Sequence, residues 1–189
     1  LSDLLDDDAF LETSEIKPSS PYSASKASAD LLVQSYARTH KLNVMISRCS
    51  NNYGPRQFPE KLIPVVIFSA LTGASIPVYG AGENVRDWLH VSDHCEAILQ
   101  LIESQKFGGV FNIGGQKELK NIEIIETICN MLDQKRPMAS ASYSDFITFV
   151  ADRPGHDLRY AINPAKIESS IGWRPKVDFN EGISSTIDW

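Results

Sequence analysis

No run of about 18 or more apolar residues occurs in this sequence, so nothing in it reads as a membrane-spanning helix. The N-terminus lacks the basic segment followed by an apolar one that marks a secretory signal. Cysteine is scarce. Cys49, Cys95 and Cys129 are odd in number, far apart and never spaced C-x-x-C, which excludes a disulfide framework and the common zinc and dithiol motifs and predicts reduced thiols in a cytoplasm. Basic charge is also short: 18 Lys and Arg stand against 24 Asp and Glu, for a net −6. That is the wrong sign for a nucleic-acid partner. Internal repeats, low-complexity tracts and an initiator Met are missing too, and the opening LSDLLDDDAFLETSE reads as an acidic loop within a longer chain.

What remains is an ordinary globular composition, 42% hydrophobic and 22% charged over 189 residues. This is enough for one substantial core, or for one domain with part of a second. Periodicity predicts a helix over 23–40, where Ala27, Leu31, Leu32 and Tyr36 share helical spacing. LNVMISRCS reads as a buried parallel strand, and NNYGPRQFPE as a long loop at its C-terminal end, the edge at which open α/β sheets bind ligands. A helix over 61–72, strands SIPVYG and RDWLHV around the turn AGENV, and a helix capped by Ser92 and running to 105 follow. The strand GGVFNIGG and the amphipathic helix KNIEIIETICNMLDQ come next. Then ITFV and LRYAI flank the loop ADRPGHD, and helices over 164–171 and 181–188 close the chain. Alternating strands and helices predict an α/β fold.

One stretch carries chemistry. In SSPYSASKASAD, Tyr22 and Lys26 lie one helical turn apart. A phenol with a pKa near ~10 becomes a base at neutral pH only when something stabilises its phenolate, and an ammonium on the same face does so. Y-x-x-x-K also arises by chance on helix surfaces. Two other patterns carry less. His90 and His94 have the i, i+4 spacing of helical metal ligands, but the predicted cap leaves His90 on a strand; GAGENV lies between two strands and lacks the third glycine of a dinucleotide fingerprint.

PYSASKASAD, SRCSNNYGPRQFPEKLIPVVI, IPVYGAGENVRDWLHVSDHCEAI, FNIGG and ADRPGHDLRYAI together resemble the dTDP-glucose 4,6-dehydratase family of extended short-chain dehydrogenase/reductases, over nearly the whole chain. The resemblance implies NAD as cofactor, dTDP-glucose as substrate and a place in deoxysugar biosynthesis. It also implies a division into 1–58, the end of a Rossmann domain, and 59–189, mainly a nucleotide-sugar lobe with segments returning to the first. Tyr22 would take the sugar 4-hydroxyl proton, while Lys26 would lower the Tyr22 pKa and hold the nicotinamide ribose. Asn52 would face the nicotinamide end and Asn51 the substrate. Lys61, Leu62, Ile63 and Pro64 would line the sugar-nucleotide site, and Pro77, Val78 and Tyr79 would flank the thymine. Arg86 would pair with the diphosphate, and Asn121 with Asp152, Arg153, Pro154, Gly155 and His156 would complete the grip.

Blander roles stay open: Arg86 in a salt bridge with Asp87 or Glu83, Asn51 and Asn52 as turn formers, His156 as an exposed loop residue. A sister epimerase or decarboxylase, and a binding module without catalysis, are the alternative functions. The family's Gly-rich cofactor turn and Thr-Asp-Glu segment do not occur in these residues. Full turnover is therefore not expected of the chain alone. The resemblance also implies a homodimer paired through the helix carrying Tyr22 and Lys26, whose second apolar face of Leu32, Val33 and Tyr36 is otherwise ordinary core.

Overall fold

Residues 9–152 and 158–189 are described by the structure, a computed structural model. In chain order the elements are α1 (Pro21–His40), β1 (Ile46–Cys49), β2 (Asn51–Tyr53), α2 (Leu62–Thr72), β3 (Ile76–Tyr79), β4 (Val85–His90) and α3 (Val91–Ser104). They continue with β5 (Val110–Ile113), β6 (Glu118–Lys120), α4 (Asn121–Lys135), a 3-10 turn (Tyr143–Phe146), β7 (Ile147–Val150), β8 (Arg159–Tyr160), α5 (Ala165–Ile171) and α6 (Phe179–Asp188). The α/β class expected from the sequence is what the chain adopts.

Local chemistry explains where α1 begins and ends. Ser20 caps it by accepting from the Ser23 amide at 3.1 Å, Pro21 occupies the first turn where its missing N–H costs nothing, and Lys41 closes it in the left-handed region. None of its residues is buried, so its apolar stripe is not part of this chain's core. An ion pair ties it to the sheet: Arg48 Nε on β1 donates to Asp30 Oδ2 at 2.8 Å.

Strand β1 pairs in parallel with β5, and β3 in parallel with β7. The expected loop at Asn51 is instead a strand. β2 pairs in parallel with β4, setting Asn51 opposite Trp88 and Asn52 opposite Leu89. Asparagine is a poor strand former by propensity, and the partner that overrides it lies far along the chain. The polar β6, antiparallel to β4, and the register of β8 on β4 belong to the same sheet. The cap of α3 also differs from expectation: the helix starts at Val91, and His90 Nδ1 accepts from the Ser92 amide at 3.3 Å in place of a Ser92 cap.

Because side chains alternate across a strand, β4 is shared by two cores. Trp88 packs into one with Tyr53, Ile63, Val66, Val78, Ile128 and Ile183. Leu89 packs into the other with Ala97, Phe111, Ile113, Ile167 and Trp173. Gly115 is held so close to β4 that a Cβ there would stand 1.8 Å from the Trp88 carbonyl oxygen. This approach lets the Gly115 and Lys117 amides donate to the buried Asp87 carboxylate at 2.9 and 2.8 Å. Among the described residues no helix is long and apolar enough to cross a membrane.

Candidate active site

Against one face of β2 and β4 lies a cavity of about 820 Å³. β2 contributes Asn51 and Asn52, the start of α2 contributes Lys61 and Leu62, and β3 contributes Pro77 and Tyr79. Arg86 comes from β4 and Asn121 from α4. Eight residues named from the sequence therefore share one wall, although they span 51–121 along the chain.

The electrostatics have one sign. Lys61 and Leu62 open α2, Val91 opens α3 and Asn121 opens α4, and all four line the cavity. Helix N-termini carry partial positive charge and unsatisfied N–H groups, which favour anions. Arg56, Lys61 and Arg86 add full positive charges, against one lining carboxylate among the described residues, Glu60, which pairs with Lys61 at 3.2 Å. Glu83, three residues before Arg86, pairs with Lys120 at 2.5 Å, and the Asp87 carboxylate accepts from backbone amides. Arg86 Nη1 donates to the Val85 carbonyl at 2.7 Å and to the Leu158 carbonyl at 3.4 Å. Burial raises the Asp87 pKa, while its bonds from Lys117 and Gly115 act the other way.

Other predicted residues lie elsewhere. Ile63 and Val78 are buried in the core, at 0% and 1% exposure, and back the wall without reaching the cavity. Helical rotation turns Ile63 away from Leu62, and strand alternation turns Val78 away from Pro77 and Tyr79. Pro64 is half-buried off the cavity, and Asp152 sits against Gly80, where a Cβ would meet its carboxylate oxygen at 3.2 Å. Arg153, Pro154, Gly155 and His156 lie outside the described residues. Tyr22 does not line the cavity; it projects from α1 at 74% exposure. Lys26, one turn on, is near enough to β1 to act on Cys49. Burial raises that thiol's pKa, and the Asn52 side chain and the Lys26 charge oppose the rise. Lys26, Cys49 and Asn52 are thus neighbours, on the Asn52 side of the cavity.

Sequence reasoning missed the floor and one edge. Tyr53 and Trp88 line the cavity, as do Arg56, Gln57 and Phe58. The signal for Trp88 was strand alternation, which places it on the same face as Arg86 two residues earlier. For Arg56 the signal is weaker: it stands at φ +67 in a loop whose course depends on β2 pairing with β4.

Parallel strand pairs with helices packed on them, and a cavity lined by three helix N-termini, define an α/β protein of Rossmann type. The chain belongs to the GDP-mannose 4,6 dehydratase family, which residues 4–186 match. It is 52% identical over 186 residues to the dTDP-glucose 4,6-dehydratase of Neisseria gonorrhoeae, covering 97% of this chain and 54% of that protein. Among solved structures, the dTDP-glucose 4,6-dehydratase of Bacillus anthracis in complex with NAD superposes with a TM-score of 0.88 at 44% identity, covering 99% of this chain and 57% of the other. The Streptomyces venezuelae dTDP-glucose 4,6-dehydratase with NAD and TYD bound gives a TM-score of 0.88 at 43% identity, covering 98% and 55%. The chain spans about half the length of the curated relatives it matches.

Proposed function

We propose that these residues form the nucleotide-sugar half of an NAD-dependent dTDP-glucose 4,6-dehydratase serving deoxysugar biosynthesis. The observation that carries this reading is the cavity: three helix N-termini, Lys61 and Arg86 line the same space as Pro77 and Tyr79. A sugar nucleotide has this polarity, a diphosphate between two uncharged ends. In the proposal Arg86 and the N-termini hold the diphosphate, Pro77 and Tyr79 flank the thymine, and Asn51 and Lys61 face the sugar.

The residues present fit one end of NAD. Tyr22 and Lys26 project from α1 into open space, and Asn52 stands beside Cys49 within the field of Lys26. When bound, NAD accepts a hydride and returns it. The chain's own part is to move a proton: Tyr22 Oη takes it from the sugar 4-hydroxyl, and the Lys26 ammonium stabilises the resulting phenolate. Glu60 is the single carboxylate that lines the cavity among the described residues. The acid and base needed to eliminate water are therefore not supplied here, and in this proposal the 189 residues by themselves do not complete turnover. Residues 1–58 and 59–189 would act as the two lobes, and Leu32, Val33 and Tyr36, all exposed on α1, would meet a second copy in a homodimer.

Calorimetric titration of the 189-residue chain with dTDP-glucose, with UDP-glucose as comparator, tests the reading. Saturable binding that prefers the dTDP sugar supports it. A chain folded by circular dichroism that binds neither sugar overturns it.

A further inference from the structure

His94 is the polar residue of α3 whose role the sugar-nucleotide reading leaves unexplained. Among the described residues no group of three or more His, Cys, Asp or Glu side chains gathers to hold a metal. The surroundings of His94 assign it a different task.

The Ser50 carbonyl can only accept a hydrogen bond, and Asn52 Nδ2 donates to it at 3.0 Å. That contact decides which end of the Asn52 carboxamide is nitrogen. The other end is then Oδ1, which can only accept, and it lies 2.8 Å from His94 Nδ1. The proton must therefore sit on His94 Nδ1, leaving Nε2 bare in the neutral ring. Nε2 is buried without a hydrogen-bond partner, and burial lowers the pKa of His94, so a second proton is disfavoured. Gln57 Nε2 donates to the Asn52 carbonyl at 2.8 Å, holding the backbone of the same residue. Turning the carboxamide end for end would set N–H against N–H at His94 and C=O against C=O at Ser50.

His90 differs: its Nδ1 lies 3.3 Å from the Ser92 amide and 2.7 Å from the Ser92 hydroxyl, which can donate or accept, so no acceptor-only group sets its tautomer.

We infer that His94 is a positioning residue: its Nδ1–H locks the Asn52 carboxamide with nitrogen towards Ser50 and oxygen towards α3, beside Cys49 and Lys26. The significance of this lock for catalysis rests on the proposed reading, in which Asn52 faces the nicotinamide end of NAD; the lock itself does not. A histidine serving only as core filler would tolerate replacements by size alone. A lock built on Nδ1 distinguishes two amides, because asparagine Nδ2 takes the place of imidazole Nδ1 whereas glutamine Nε2 takes the place of Nε2.

The test is long-range proton–nitrogen correlation NMR of the ¹⁵N-histidine-labelled chain near neutral pH, without ligand. The expected spectrum has His94 as the neutral Nδ1–H form. Asn52→Leu removes the acceptor and returns His94 to the Nε2–H form. His94→Asn keeps the Asn52 side-chain amide resonances near their original positions, and His94→Gln moves them towards those of a free amide. A parent spectrum with His94 in the Nε2–H form, or charged, overturns the inference even if no variant folds. Equal displacement by His94→Asn and His94→Gln does so as well. The sugar-nucleotide titration is independent of these outcomes, so either reading can fail while the other stands.

Discussion

Replacing Gly182 by alanine sets two effects of known size against each other. Gly182 lies inside α6, where alanine is ordinarily the better helix former by about 0.8–1 kcal/mol. A Cβ at that position would stand 2.4 Å from the Tyr53 hydroxyl oxygen and 3.0 Å from two of its ring carbons. Tyr53 has little room to retreat, because its ring centroid lies 5.3 Å from that of His90, 5.4 Å from Phe179 and 6.3 Å from Trp88. Overpacking costs about 1–3 kcal/mol. With the nearest atom so far inside contact distance the upper half of that range applies, and after the propensity gain the net loss is about 1–2 kcal/mol. For a chain of this size that lowers the thermal midpoint by about 2–8 °C. Tyr53→Phe removes the closest atom and gives up only a hydrogen bond at the 3.5 Å limit, to the Phe179 carbonyl. The double variant should therefore recover about 1 kcal/mol of the loss as a coupling energy. Urea unfolding followed by circular dichroism measures all four proteins. A Gly182→Ala protein as stable as its parent, or no recovery with Tyr53→Phe, would refute the reasoning.

Arg86→Lys should weaken dTDP-glucose binding about tenfold, about 1.4 kcal/mol, because an ammonium cannot reproduce the guanidinium fork; calorimetry with an unchanged thermal midpoint checks it. Burial lowers the pKa of both His90 and His94, so the folded chain binds fewer protons there than the unfolded one. Their contribution to stability is then complete above about pH 6.5 and is lost as the pH falls through the lower folded values. The difference in thermal midpoint between parent and a His90→Asn, His94→Asn variant should accordingly change between neutral and mildly acid pH, and a constant difference would count against it. A thiol reagent should modify the exposed Cys95 first and Cys129 last, since Cys129 is buried and burial pushes its thiol up to about 11. Mass spectrometry of the partly modified chain reads the order, and early modification of Cys129 would contradict the burial.

Much of the fold was legible because it is written in local patterns. The spacing of Ile124, Ile125, Ile128 and Leu132 marks α4, and all four are buried. Glycines bound β5 on both sides, and Pro21 opens α1. Eight of the residues named through motif resemblance line one cavity. Where the reading went astray, either a partner distant in sequence or an unusual capping group was responsible. Asn51 and Asn52 looked like a loop because nothing near them announces β4. Ser92 looked like a cap because the acceptor is an imidazole nitrogen, which sequence rules do not count among N-caps.

By itself the sequence determined the kinds of element, their order, and the residue types available for chemistry: a tyrosine and lysine one turn apart, paired asparagines, an arginine two residues before a tryptophan. These follow from backbone propensity and side-chain period, which act over a few residues. Tertiary structure alone decided direction and partnership. It sent Ile63 and Val78 into the core while Leu62, Pro77 and Tyr79 faced the cavity, and it brought His94 to Asn52 across 42 residues. Those choices depend on which faces pack and which polar groups must be satisfied once water is excluded, and both are settled only when distant segments meet.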